Sequence, residues 1–436
     1  MEEKFGLSHL FMTVFLYCFA TLMVVPAITD VTMAAVCPDQ YECSFAIYLT
    51  GAQHVIIGVG SVVVMPLIGK LSDTHGRKLT LTLPLTLSIF PLLILAYNST
   101  KYYFYAYYVL KTLIAIATEG SVQFLALAYV ADNVEESRRA SAFAIMSGFS
   151  SSSFVLGNFS TRFLSTSATF QVAAAMSVFA LLYMRLFLPD SICVESECLL
   201  EKAPSQKWKI FNILDSFHDT ICLLRSSSIF SKAAVVAFFG TVAEVGFHAS
   251  LMYYLKARFH FNKDQFADLM IIGGIAESAS QMIVMPMLTP LLGEEKILSI
   301  GLFSSCACMI VYSIAWSPLV PYVAATISIF STFTHPSLRS IASKQVGPNE
   351  QGKAQGCITG ICSLANVVSP LAFTPLTALF ISNNAPFYFP GFSIMCSSFV
   401  AVIAFAMSIT MIRPPPPPPP PVEDYCSIMI SKSLAS

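Results

Sequence analysis

Apolar residues along this chain come in long runs, and polar residues fill the short gaps between them. Twelve runs stand out: His9–Thr29, Ala46–Ile68, Leu79–Tyr97, Tyr102–Val130, Ala140–Leu164, Ala168–Leu188, Ala233–Leu255, Ala267–Leu291, Ile297–Trp316, Tyr322–Ala342, Gly356–Ile381 and Tyr388–Ile412. A hydrocarbon layer about 30 Å thick takes roughly 20 apolar residues in helical form. A helix also satisfies its own backbone where no water can. The pattern therefore predicts twelve transmembrane α-helices. Pro26, Pro91 and Pro286 fall inside runs, which membrane helices tolerate when neighbours re-satisfy the backbone. The first run is too long for the apolar region of a cleavable leader and lacks a small-residue cleavage site, so it is expected to remain as a helix.

The longest polar interval, from Pro189 to about Lys232, separates six runs from six. The expected organisation is a six-helix bundle over 1–188, a cytoplasmic linker over 189–232, a second bundle over 233–412 and a proline-rich cytoplasmic tail over 413–436. Within the linker, Trp208-Lys209-Ile210-Phe211 is amphipathic enough to rest on a membrane surface, although a plain connector explains it equally. The halves echo each other. One offset relates Val134 to Val346 and Gly148 to Gly360, with Ala142/Ala354 and Ser147/Thr359 between them. Pro66-Leu67-Ile68-Gly69 likewise echoes Pro290-Leu291-Leu292-Gly293. Parallel repeats joined by a long linker are the organisation of carriers that rock about a central site.

Only 11% of the residues are charged, against roughly 25% in soluble proteins, so the missing wet surface must face lipid. A net charge of -1 and short basic clusters point to no nucleic-acid partner. With the N-terminus in the cytoplasm, the inner loops receive Lys70, Arg77, Lys78, Arg138, Arg139, Arg185, Lys202, Lys207, Lys209, Arg225, Lys296, Arg339, Lys344 and Lys353. The outer loops receive Lys101, Arg162, Lys256, Arg258 and Lys263. The positive-inside rule then places both termini in the cytoplasm, with the choice between plasma membrane and endomembrane open. The twelve cysteines show no metal-ligand spacing. Cys37 and Cys43 flank the first outer loop and are either a disulfide or two thiols. Asn98-Ser99-Thr100 and Asn158-Phe159-Ser160 match the glycosylation pattern, but one lies in a tight loop and the other in a helix, so neither is expected to be modified. There is no nucleophile elbow, metal site or phosphate loop, which argues against an enzyme or an ATP-driven pump and implies no cofactor.

The gap after the second run reads Gly69-Lys70-Leu71-Ser72-Asp73-Thr74-His75-Gly76-Arg77-Lys78. This resembles the signature G-x-L-x-D-r-x-G-R-r/K of the major facilitator superfamily. Gly69 allows helices to approach, and Gly76 permits a tight reversal. The resemblance makes Asp73, Arg77 and Lys78 an inner gate that is closed in the outward-open state. The exit of the fourth run, Ala128-Tyr129-Val130-Ala131-Asp132 followed by Glu135-Glu136-Ser137-Arg138-Arg139, is similar to tetracycline-resistance-like proton antiporters and closest to their hippocampus-abundant-transcript-like branch. It adds Asp132, Arg138 and Arg139 to the gate. The expected fold is accordingly all-α and polytopic, with two pseudo-symmetric six-helix bundles. Three departures weaken the case for antiport. Lys111 stands where the group carries Arg, the fifth-helix glycine–proline pattern is reduced to Gly148 and Gly157-Asn158-Phe159-Ser160-Thr161, and Gly293-Glu294-Glu295-Lys296 keeps little of the second loop signature.

Charge near mid-bilayer costs on the order of 3 kcal/mol or more and usually faces a wet interior. Lys111, Glu119, Glu244, His248 and Glu277 fall within runs. In the facilitator fold the first, fourth, seventh and tenth helices line the cavity, so Lys111 and Glu119 are expected to face it from one helix and Glu244 and His248 from another. Glu119 and Glu244 are expected to bind or exchange protons, with His248, one turn from Glu244, tuning it as a relay, while interhelical pairing is the bland account of the same carboxylates. His335 either lines the substrate site or packs, His54 is expected to be structural, and Asp30 sits near the outer end of the first helix. Tyr102 to Tyr108 form an interfacial aromatic belt or a platform for a planar ligand. The eight prolines Pro414 to Pro421 form a polyproline rod, a spacer or a ligand for an SH3- or WW-like partner. The leading functional expectation is a proton-coupled, antiport-like carrier of a small solute, working by alternating access with the lipid bilayer as its surroundings. The alternatives are uncoupled facilitated diffusion and a transporter-derived receptor or scaffold.

Overall fold

The computed structural model describes residues 2–36, 44–189, 223–224, 227–261, 263–347, 350–381 and 385–412. Cys37, Cys43, the linker containing Trp208, the proline tail and the side chains of Asp30 and Arg162 lie outside the described set.

Among the described residues, twelve helical segments follow the twelve apolar runs. They are α1 (Glu2–Leu22, continued by Val24–Val36), α2 (Ser44–His75), α3 (Arg77–Tyr97), α4 (Lys101–Thr118, then Ser121–Asn133), α5 (Arg139–Ser160) and α6 (Thr166–Phe187) in the first half. The second half holds α7 (Ser228–Phe259), α8 (Lys263–Ala279, a π turn Ser280–Val284, then Met285–Leu292), α9 (Glu294–Ser313), α10 (Val320–Ile327, a 3-10 stretch Ser328–Phe333, then Thr334–Ser343), α11 (Gln351–Ile381) and α12 (Phe392–Ile409). Among the described residues, ten segments are long and apolar enough to cross a membrane by themselves. The other two are α1, whose apolar helix Gly6–Leu22 is shorter, and α10, which is broken into three pieces.

The breaks have local causes. Proline has no N–H and its ring crowds the carbonyl one turn back. Upstream of Pro286 the helix widens into the π turn, where the Met285 N–H reaches back to Ser280 O. In α4, Gly120 adopts φ 81°, a left-handed conformation open to glycine, and ends the first piece just after Glu119.

Each half has its own apolar core. Leu10, Phe124, Phe143 and Met184 are among the buried residues of the first, and Phe230, Leu298, Leu338 and Ile358 of the second. The halves meet where α2 packs on α11 and α5 on α8. At Gly69 a Cβ would run into the Gly352 backbone, so these helices touch main chain to main chain. Gly148 abuts Met282 of α8 and Gly360 abuts Val62 of α2, so these two glycines hold equivalent places at the two crossings. The same offset relates the first residues of α5 and α11, Arg139 and Gln351.

The second sequence echo does not survive. Gly69 lies within α2, whereas Gly293 turns the chain between α8 and α9 with φ 81° and ψ 159°. Its conformational counterpart is Gly76, with φ 87° and ψ 154° between α2 and α3. The second loop thus keeps the backbone of the signature although its charges differ.

Candidate functional site

Two polar assemblies interrupt the apolar interior. The first seals the end of the bundle that carries the Gly69–Lys78 loop, here called the signature end. Arg77 is 4% exposed at the start of α3. Its Nη1 lies 2.5 Å from Asp73 Oδ1, its Nε donates to Asp132 Oδ2 at 2.7 Å, and its Nη1 also donates to Ser72 Oγ at 2.6 Å. Asp73 in turn accepts the N–H groups of Gly352 and Lys353 at 2.8 and 2.9 Å. Those are amides of the first turn of α11, which have no partner inside the helix and favour a negative charge. One carboxylate thereby joins the two halves. On the other side of the pseudo-twofold, Arg139 donates through Nη1 to Ser343 Oγ at 3.3 Å. The Ser343 hydroxyl in turn donates to Gln351 Oε1 at 2.6 Å. Lys78 follows Arg77 at the head of α3, and Arg138 is exposed at the end of the 3-10 turn before α5.

The second assembly lines a cavity of about 540 Å³ walled by α5, α7, α8, α9 and α10, with Ala401 of α12. Its span, from Gly240 to Leu251 on α7 and from His335 back to Ala325 on α10, runs from mid-helix toward the end opposite the signature loop. Phe247, Leu251, Leu269, Met309 and Tyr312 make the wall mostly apolar. Glu244, His248, Glu277 and His335 supply its titratable groups. His335 Nε2 donates to Glu244 Oε2 at 2.7 Å. These side chains keep 44% and 46% of their surface accessible, because the cavity itself admits water. Glu277 accepts from Gln281 Nε2 at 3.3 Å, and Gln281 Oε1 accepts from Ser151 of α5 at 3.3 Å. The cavity chemistry therefore reaches into the first half through a neutral serine.

Irregular helix geometry builds this wall. The π turn of α8 and the 3-10 stretch of α10 face each other, with Ser280 Oγ donating to Ile329 O at 2.6 Å and Thr332 Oγ1 donating to Ser280 Oγ at 3.3 Å. Such departures from α geometry are frequent at functional positions.

Several expectations change. Glu244 bonds to His335 on α10, while its own-helix neighbour His248 lines the cavity and contacts Phe247, ring centroids 5.2 Å apart. His335 is a cavity residue. Lys111 and Glu119 do not line the cavity. It lies within the second half against α5, and α4 contributes no residue to its wall. Glu119 ends the first piece of α4, within electrostatic range of Tyr17 and Tyr107. Arg339, counted with the inner-side cations although it falls near the end of the run Tyr322–Ala342, is inside α10, where it donates to Gln355 Oε1 and Thr359 Oγ1 at 3.2 Å. Sequence reasoning also passed over Ser151 and Gln281, because neutral residues carry no cost signal in a membrane helix.

Comparison with known proteins agrees with this architecture. The family model of the Major Facilitator Superfamily matches residues 10–370 and 233–425. The mouse Hippocampus abundant transcript 1 protein is 25% identical over 333 residues, which are 74% of this chain and 65% of that protein. The chain thus spans just under two thirds of that relative's length. The class G tetracycline resistance protein of Vibrio anguillarum is 24% identical over 329 residues, 75% of this chain and 80% of that one. Among solved structures, the human organic anion transporter MFSD10 (TETRAN) superposes with a TM-score of 0.77 at 18% identity, covering 93% of this chain and 99% of that one. The Escherichia coli fucose:proton symporter FucP gives 0.69 at 12% identity, covering 95% and 100%. A loop signature that ties two six-helix halves together, a cavity within the helices and a family model over most of the length lead to one conclusion: this chain is a multi-pass membrane protein of the Major Facilitator Superfamily, a family of transporters and not of enzymes.

Proposed function

We propose that this chain is a proton-coupled secondary carrier that moves a small solute by alternating access, antiport-like in its coupling. The observation that carries the reading is the 2.7 Å contact between Glu244 and His335 inside a half-solvated cavity, with Glu277 on the same wall. A carboxylate and an imidazole in contact exchange one proton between a neutral and an ionic pairing, and imidazole titrates in the physiological range. Protonation of Glu244 releases His335 for substrate, and deprotonation restores the pair. Proton and solute thus compete for one site.

The signature-end lock supports a resting state that is closed at that end and hollow toward the other. With both termini in the cytoplasm, as the basic residues suggest, the lock is the inner gate and Gly69, Asp73, Gly76, Arg77, Lys78, Asp132, Arg138 and Arg139 belong to it. Similarity to tetracycline resistance proteins and to a fucose:proton symporter agrees with coupling of one sign or the other. The test uses proteoliposomes holding wild type or Glu244→Gln, loaded with a mixture of metabolites and drugs under an imposed pH gradient and profiled by mass spectrometry. A compound that moves with wild type, stops when a protonophore collapses the gradient and loses gradient dependence in the variant upholds the proposal. Movement indifferent to the gradient rejects coupling in favour of facilitated diffusion. The proline tail is proposed as a spacer, and its removal after Arg413 leaves transport intact.

A further inference from the structure

Among the described residues, Arg339 is an interior cation with no carboxylate in ion-pair contact, as is Arg139, whose acceptors Val134 O and Ser343 Oγ belong to the signature-end lock. Arg77 has Asp73 and Asp132, His335 has Glu244, and Lys344 has Glu294 at 3.0 Å. Arg339, partly buried in the Thr334–Ser343 piece of α10, has two neutral acceptors. Its Nη1 donates to Gln355 Oε1 and to Thr359 Oγ1, and its Nη2 also to Thr359 Oγ1, each at 3.2 Å. Gln355 Nε2 returns a bond to the Arg339 carbonyl at 3.1 Å, so α11 holds the amide that orients the guanidinium. Its Nε has no acceptor among the described residues. A guanidinium carries five donors and suits a carboxylate or phosphate in a forked geometry. A buried charge without a counter-charge is costly, and here the protein orients the cation without cancelling it.

Its position gives that cost a use. Arg339 follows His335 by four residues on the same α-helical piece, so the two share a face about one turn apart. His335 is a lining residue of the cavity, and Arg339 lies one turn further toward the signature end, just beyond the lining residues. Opposite them α4 is broken at Gly120, where a Cβ would come against Thr359, the hydroxyl that holds Arg339. Above them the cavity wall is apolar at Phe247, Leu251, Leu269, Met309 and Tyr312. A ligand with a negative head and an apolar body matches this order of surfaces.

Building on the carrier reading above, we infer that Arg339 is the docking cation for an amphiphilic organic anion, whose apolar body fills the α7–α9 wall. The carboxylate of Glu244 holds His335 when the site is empty, and the incoming anion takes the charge that Arg339 offers. The substrate class is thereby a monoanion with an aromatic or aliphatic body, in preference to a sugar or a cation.

The test measures binding to the full chain in nanodiscs, with no gradient and no flux. The probes are 1-naphthylacetate and its uncharged primary amide, read by calorimetry and by the shift of the thermal unfolding midpoint. Wild type is expected to bind the anion roughly 10- to 100-fold more tightly than the amide, the factor set by a charged hydrogen bond. Arg339→Gln is expected to lose that preference, and Arg339→Lys to keep part of it. The unfolding midpoint without ligand shows whether each variant is folded, and the anion–amide comparison in wild type stands whether or not Arg339→Gln folds. Equal affinity of wild type for both probes, no binding of either, or an undiminished preference in folded Arg339→Gln overturns the inference. A protein that prefers the anion yet transports nothing fails the carrier reading alone, and one that transports without charge preference fails this inference alone.

Discussion

Asp73 and Gly352 belong to opposite halves of the chain, yet the Asp73 carboxylate accepts the Gly352 amide at 2.8 Å. Neutralising that carboxylate weakens two charge-assisted bonds to α11 and leaves Arg77 with Asp132. Asp73→Asn is expected to shift the population toward opening at the signature end, by roughly 10-fold for a loss of about 1.5 kcal/mol. The measurement is alkylation of Ala140→Cys, a position that is fully buried between α5 and the second half. The labelling rate should rise with Asp73→Asn, and an unchanged rate would show that the lock is held elsewhere.

The cavity pair predicts a pH dependence with a definite sign. The Glu244–His335 contact is ionic only while Glu244 is ionised and His335 carries a proton, so protonation of the carboxylate releases it in acid and, on the alkaline side, it fades as pH rises and the imidazole empties. His335→Gln removes the titrating partner but keeps a donor. Solute flux in this variant is expected to lose the alkaline fall that wild type shows as its imidazole empties. A wild-type-like pH profile would assign the titration to another group.

Gly76 and Gly293 predict equal penalties at unequal sequences. Both combine φ near 80–90° with ψ near 155–160°, a region that is essentially reserved for glycine. Gly76→Ala and Gly293→Ala should each cost about 1–3 kcal/mol, read as a lower unfolding midpoint. Gly347 has open space where a Cβ would go, and Gly347→Ala is the control expected to leave the midpoint nearly unchanged.

Glu294 is 6% exposed and pairs with Lys344 at 3.0 Å. Lys344→Gln should destabilise the protein by about 1–3 kcal/mol, below the value for a fully buried pair because Lys344 is 30% exposed. Adding Glu294→Gln should recover part of that loss, since the stranded charge goes with it. If the double variant is no more stable than the single one in thermal unfolding, the pair is not what Lys344 contributes.

The primary sequence by itself determined the helices and their grouping. Lipid exposure demands runs of about 20 apolar residues, and such runs can be read without knowing what touches what. The loop signature was legible for the same reason: Asp73, Gly76 and Arg77 sit within a few residues of one another, and local spacing is preserved in any fold. Gly148 and Gly360 showed the repeat because both crossings demand close approach.

Only the tertiary structure decided which charges meet. Glu244 chose His335, 91 positions away, over His248 one turn along its own helix, because α7 and α10 converge at that level. Arg339 counted as an inner-side cation at the end of its run, and only the packing of α10 on α11 gave it Gln355 and Thr359 as acceptors. Lys111 and Glu119 carried the same cost signal as Glu244, yet α4 turns neither into the cavity wall. The energy of a buried charge depends on distance to its partners, and distance between helices is not a property of spacing along the chain.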